Sequence, residues 1–138
     1  MNSTGDIAEM AFMLEAAKRG YTVFMPFSHD TKVDIIIMRA GEKPITCQVK
    51  KATLQKNPPH LTQTWKALLG SAKSSVRVCT EDNPRFTKYQ IGAFDMLVMF
   101  VQEQNRFVFH RLEDVVGRAG VRWNKKHPSN NWEKFDEL

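Results

Sequence analysis

Three polar side chains interrupt an apolar, β-branched stretch of the chain: Asp34, Gln48 and Lys50. Residues 33–39 and 45–50 read as two strands, and Ala40-Gly41-Glu42-Lys43-Pro44 between them supplies turn residues. A hairpin centred on Gly41 sets Asp34 across from Gln48, and one centred on Glu42 sets it across from Lys50. In either register side chains alternate with period two, so a carboxylate, an amide and an ammonium share one side of the hairpin. Such a cluster is costly unless something such as a metal and a substrate satisfies it. Hydrolysis of a phosphodiester is chemistry that suits it. A hard divalent cation makes water nucleophilic and neutralises phosphate charge, and it is held by one or two carboxylates with waters and phosphate oxygens. Asp34 and Glu9 supply those carboxylates if the first helix packs over the hairpin. Gln48 offers an amide oxygen, the Val49 carbonyl lies between the polar strand residues, and Lys50 is suited to stabilise charge developing on the phosphate.

The helix that must carry Glu9 is predicted over Asp6 to Arg19 and stops at Gly20. Ile7, Met10, Ala11, Leu14 and Ala17 follow helical spacing and form its expected core stripe. Glu9 rises from a different background, with Phe12, Met13 and Ala16 as its same-face neighbours. Asp6 followed by Glu9 is also a capping-box pattern, which accounts for the glutamate without chemistry. Either role is open, and one glutamate can serve both.

The remaining elements set this hairpin in a sheet. Tyr21 to Phe27 reads as a first strand, followed by a loop at Ser28 to Thr31. A polar connector runs to Pro58-Pro59. A helix is expected from His60 to Leu69, because Leu61, Trp65, Leu68 and Leu69 fall on one helical face. Trp65 is expected in the core rather than as a base-stacking platform. Ser75 to Thr80 alternates like a strand. Phe94 to Val101 is a nearly continuous apolar run, as a strand covered on both faces requires. Asp95 near its start is expected to be hydrogen-bonded structurally. A partner strand at Phe107 to Arg111 and a short helix at Leu112 to Arg118 follow. The tail, about residues 121–138, is basic with interleaved aromatics, and could pack on the domain, contact nucleic acid or mediate assembly. The order is helix, three strands, a basic helical insertion over about 52–73, a strand and a second strand pair. It predicts one α/β domain over residues 1–138 with a mixed central sheet.

The net charge of +5 is unevenly placed. Between Lys43 and Thr80 there are Lys43, Lys50, Lys51, Lys56, Lys66, Lys73 and Arg77 and no acid, so the rest of the chain is slightly acidic. A basic window beginning beside the polar hairpin points to a polyanion. Lys51, Lys56, His60, Lys66, Lys73 and Arg77 are its candidate contacts. No apolar run is long enough to span a membrane, and the first residues lack the order of a signal peptide. Cys47 and Cys79 therefore read as reduced thiols in cytoplasm. Neither belongs to a CxxC pair. His110, Asn124 and His127 do not make a metal finger, and there is no phosphate-binding Gly-rich loop or GxSxG elbow.

The residues and their order resemble the PD-(D/E)XK nuclease superfamily over roughly residues 5–115. Val33-Asp34 stands at the PD position, with Val for Pro. Gln48-Val49-Lys50 stands at the (D/E)XK position, with Gln for the acid, and Glu9 matches the first-helix glutamate. The Gln-X-Lys variant, the chain length, and Tyr89 with Gly92-Ala93-Phe94-Asp95-Met96-Leu97-Val98 are most similar to the group I intron homing endonuclease branch. The resemblance implies a restriction-endonuclease-like α-β-β-β-α-β core. It also implies a DNA endonuclease using Mg²⁺, with Mn²⁺ as a substitute. Glu9, Asp34, Gln48 and the Val49 carbonyl would hold the metal, and Glu9, Asp34, Gln48 and Lys50 would be catalytic. Since one site cuts one strand, cleavage of double-stranded DNA predicts a homodimer or homotetramer, and a phage or mobile element in a bacterial host is the natural setting. A junction resolvase, a restriction-type nuclease and a catalytically degenerate DNA-binding module are the alternatives.

Overall fold

The computed structural model describes residues 4–27, 32–55, 63–68, 71–72, 86–87, 92–126 and 132–138. Helix α1 spans Thr4–Lys18. Strands β1 (Thr22–Phe24), β2 (Ile35–Met38) and β3 (Ile45–Lys51) follow. Next come β4 (Thr53–Leu54), β5 (Thr64–Leu68), β6 (Ser71–Ala72) and β7 (Phe86–Thr87). Then β8 (Met96–Val101), a 3₁₀ turn at Gln102–Gln104 and β9 (Arg106–Arg111) form a hairpin. Helix α2 (Leu112–Val115), β10 (Gly120–Asn124) and a 3₁₀ helix at Trp132–Glu137 complete the described chain.

The central sheet has the order β1-β2-β3-β8-β9. Its β3–β8 pair is parallel and its other pairs are antiparallel, so the sheet is mixed, as expected. Side-chain alternation divides the interior into two layers. On one face Ile35, Ile37, Ile45, Cys47, Val49, Met96 and Val98 pack with Ala8, Phe12 and Ala16 of α1 and with Trp132 and Phe135. On the other face Leu97, Met99 and Val101 pack with Trp65, Ala67, Val121 and Trp123 of a second sheet ordered β10-β5-β4. Every residue of β8 is buried, which accounts for its unbroken apolar sequence. Among the described residues no helix is long and apolar enough to cross a membrane.

Three expectations are corrected. The buried stripe of α1 is Ala8, Phe12 and Ala16; Met10, Leu14 and Ala17 face outward. Apolar residues occur all round this helix, so periodicity alone does not select the inner face. Packing does, because two alanines flanking Phe12 let the helix lie close to the sheet while the Phe12 ring enters an aromatic cluster with Phe107, Phe109, Trp132 and Phe135. The expected helix at 60–69 is, in its described part, strand β5. Its buried residues are Trp65 and Ala67, a period of two, and pairing with β10 overrides the helical spacing of the leucines. Gly120 permits that pairing, since a Cβ there would lie 2.8 Å from the Ala67 carbonyl oxygen. The third correction shortens the first strand to Thr22–Phe24. The loop at Ser28 to Thr31, the Pro58-Pro59 connector and the strand expected at Ser75 to Thr80 lie outside the described residues.

The tail packs on the domain. Trp132 stacks on Phe12 at 5.7 Å, Arg19 lies 4.7 Å over Trp132, and the Lys134 ammonium donates to the Phe109 carbonyl at 2.9 Å. Trp65 is a core residue, 5.4 Å from Trp123.

Candidate active site

The hairpin register pairs Ile35 with Cys47 and Ile37 with Ile45. This is the register centred on Gly41, whose φ of +81° suits a glycine turn, and it sets Asp34 across from Gln48. Arg39 and Glu42 pair across the turn at 3.0 Å. Because Cys47 and Val49 point into the layer beneath α1, Gln48 and Lys50 turn to the opposite face of β3. Gln48 is 9% exposed, and Lys50 is half-buried.

Asp34 stands one residue before β2 begins. Its N–H donates to the Cys47 carbonyl at 2.9 Å, and its Oδ2 accepts the Val49 N–H at 2.9 Å. The side chain therefore takes a ladder bond that β2 would otherwise supply. In a strand the N–H and C=O of one residue leave on the same side, so the Val49 carbonyl also points toward Asp34. Glu9 reaches this place from α1, and its carboxyl is hydrogen-bonded to that of Asp34.

The electrostatics follow from this crowding. Burial first, and then the charges of Asp34 and Asp6, hold the Glu9 carboxyl above its ordinary range. Burial also raises Asp34, against the lowering effects of the Val49 N–H, the Lys50 ammonium and the Glu9 hydrogen bond. Two hydrogen-bonded carboxyls that are both harder to ionise than usual are coupled in their titration. A divalent cation placed between them would offset the burial and the repulsion that raise them. The donors at hand are two carboxylates, the Gln48 amide oxygen and the Val49 carbonyl. All are hard oxygens, and this set fits Mg²⁺ completed by waters. The described residues contain no group of three His, Cys, Asp or Glu able to hold a metal, as follows from glutamine at position 48.

Asp95 has the structural role expected of it. Its Oδ2 accepts the Thr46 N–H at 3.0 Å and the Thr46 hydroxyl at 3.1 Å, and its own N–H returns to the Thr46 carbonyl at 2.9 Å.

The basic candidates are more scattered. Lys51 follows Lys50 on β3, and alternation turns it to the opposite face. Lys66 lies on the outward side of β5, opposite inward Trp65 and Ala67. Directly across from it on β10 is Arg122, one of the basic residues of the tail. Its signal was available in the basic, aromatic-interleaved stretch Arg122-Trp123-Asn124-Lys125. Lys56, His60, Lys73 and Arg77 lie outside the described residues.

Comparison with known proteins places the chain in a family and gives the fold a relative. The family described as PD-(D/E)XK endonuclease matches residues 1–133. Among solved structures, the fold is similar to that of a bacterial homing endonuclease, I-Ssp6803I, with a TM-score of 0.75 and 19% identity. The match covers 99% of this chain and 95% of that one. No curated protein matches the chain.

Proposed function

The chain belongs to the PD-(D/E)XK endonuclease family, and from that premise we propose that it is a divalent-metal-dependent endonuclease of homing type acting on double-stranded DNA. The observation that carries the reading is the Glu9–Asp34 carboxyl pair with the Lys50 ammonium beside it. Glu9, Asp34, the Gln48 amide oxygen and the Val49 carbonyl would hold the cation, with Mg²⁺ first and Mn²⁺ as a substitute. When bound, such an ion supplies an activated water and a counter-charge for the phosphate.

The chain's own residues do the positioning. The Val49 N–H fixes one oxygen of Asp34 in the plane of the sheet, so the carboxylate arrives oriented. Glu9 enters on a helix anchored by Phe12, which sets its depth. Lys50 places positive charge where negative charge grows on the scissile phosphate as the bond to the leaving oxygen breaks. Gln48 contributes oxygen without charge, which lowers the site's affinity for the cation and leaves more of the ion's positive charge for the phosphate. Lys51, Lys66 and Arg122, with Lys56, His60, Lys73 and Arg77 from the basic window, are the proposed contacts to the DNA backbone. One site per chain cuts one strand, so a double-strand break takes two chains in a homodimer or homotetramer.

Homing type is proposed from the likeness to I-Ssp6803I and the Gln48-Val49-Lys50 variant. The deciding experiment is plasmid nicking with and without Mg²⁺ by the wild type, Asp34→Ala and Lys50→Ala. Metal-dependent nicking lost in both variants supports the assignment, and cleavage that survives both overturns it. Gln48 favours one other reading, a DNA-binding module with a degenerate site. That reading predicts salt-sensitive binding, no response to divalent ions and no nicked product.

A further inference from the structure

The second sheet has one face on the core and one face turned away from it. Trp65 and Ala67 of β5 and Val121 and Trp123 of β10 point inward to the central sheet. Alternation therefore turns Lys66 and Arg122 outward, and the register sets them directly across from each other, with Thr53 of β4 beside Lys66. Thr64 and Asn124 form the next outward pair. No acid stands at an outward position of these three strands. Like charges directly opposite on a sheet are destabilising. A face that sets a guanidinium against an ammonium, with no carboxylate on the same side, suits an anion brought from outside.

We infer that this face of the β5–β10 pair lies in the major groove of the DNA and reads bases there, with Arg122 and Lys66 directed at guanines. The inference rests on the proposed function for its substrate and goes beyond the backbone contacts named there. Two paired strands lie about 5 Å apart, and a two-stranded ribbon fits a major groove about 12 Å wide. Phosphates line the edges of that groove, and base edges form its floor. Lys66 is the third of five residues in β5, and Arg122 is the third of five in β10. Both therefore project from the middle of the ribbon, toward the floor. Arginine and lysine in that position donate to guanine O6 and N7, the commonest specific contact. The chain also limits how far this reading lies from the cut. Strand β3 carries Lys50 and continues through Ala52, whose N–H donates to the Phe100 carbonyl at 2.9 Å, directly into Thr53. Three extended residues span about 10 Å, and one strand spacing more reaches Lys66. At about 3.4 Å per base pair, the guanine facing Lys66 lies within about five base pairs of the scissile phosphate.

The test is a binding selection from a random-sequence duplex pool in Mg²⁺, read by sequencing. Every protein in it carries Lys50→Ala, so that binding is measured while cutting is suppressed. This parent is expected to enrich a consensus that includes guanine. Adding Arg122→Ala or Lys66→Ala should abolish the preference at one guanine each and keep it elsewhere. Binding to the parent's consensus duplex should weaken about tenfold or more in each case. Replacing that guanine by adenine should weaken the parent by a similar factor and leave the matching variant within about twofold. Methylation of the guanine at N7, on the major-groove side, should block the parent and not that variant. Both side chains stand on the outward face, and removing either relieves like-charge repulsion, so the far-UV circular dichroism spectrum should be unchanged. Variants that keep the whole consensus and bind every duplex more weakly by one factor would mark phosphate contacts and overturn the proposal. So would a parent that enriches no sequence, or one indifferent to N7 methylation. The nicking assay is read separately. A consensus without nicking by the wild type defeats the nuclease reading alone, and nicking without a consensus defeats this one alone.

Discussion

Asp34 and Asp95 lie on opposite sides of β3 and make the same first bond. Each carboxylate accepts a backbone N–H of that strand, from Val49 at 2.9 Å and from Thr46 at 3.0 Å. Their surroundings then diverge. Asp95 is exposed, and the Thr46 hydroxyl adds a second donor to the same oxygen, so the group ties the start of β8 to β3. Asp34 is half-buried, has a second carboxyl pressed against it, and has an ammonium close by. A carboxylate satisfied by its donors is a fastening. Asp34 is instead pressed against a second acid, which suits the cation-holding role proposed for it.

The largest effect that would break this contrast is on turnover. Asp34→Ala should reduce metal-dependent plasmid nicking about 10³-fold, while Asp95→Asn leaves it nearly unchanged. A comparable loss in both would make the two acids one machine. Lys50→Ala should cost about 10²-fold in the same assay, chiefly in the single-turnover rate, because its charge acts on the phosphate as the bond breaks. In thermal unfolding without metal the two positions should move in opposite directions. Asp95→Ala removes two charge-assisted bonds and should cost about 1–2 kcal/mol. Asp34→Asn keeps an oxygen to accept the Val49 N–H and removes a buried charge that repels Glu9, so it should gain about 1 kcal/mol. Adding Mn²⁺ should raise the melting temperature of the wild type and of Asp95→Ala, and leave Asp34→Asn where it is.

The smallest effect is a pH dependence whose sign is fixed by the raised carboxyls. Groups that bind protons more tightly when folded favour the fold at acid pH, and that support is lost as pH rises through their folded values. The advantage of Asp34→Asn over the wild type should therefore be absent below the ordinary carboxylate range and emerge as pH rises above it. Nicking should follow the opposite course, increasing as the pair loses its proton and becomes able to hold a cation. Parallel pH profiles of stability for the wild type and Asp34→Asn would show that the fold does not raise the Asp34 carboxyl.

The site was more legible than the elements around it. Asp34, Gln48 and Lys50 sit two apart in effect along paired strands, and period-two alternation carries them to one side whichever turn closes the hairpin. Gly41 selected the register. Glu9 was visible because its helical neighbours Phe12, Met13 and Ala16 make poor company for a surface acid. Less legible was which side of α1 meets the sheet, since Ala8, Phe12 and Ala16 recur as regularly as Met10, Leu14 and Ala17, and only the aromatic residues of β9 and of 132–137 decide between them. Strand β5 was hidden for a similar reason. Leu61, Trp65 and Leu68 imitate a helical face, and the signal that overrides them is a partner, β10, more than 50 positions away. Long-range pairing leaves little trace in a local window.

The cover over Phe12 has a consequence for biosynthesis. Phe12 is closed in by β9 and by Trp132 and Phe135, well over 100 residues later in the chain. On a translating ribosome α1 emerges long before that lid exists, and contacts of such sequence separation form slowly. Until residues 132–137 are free to fold back, Glu9 rides on a helix whose anchor is uncovered. The nascent polypeptide therefore carries α1 without its fixed seat, and that seat is completed only by the segment that seals the aromatic cluster.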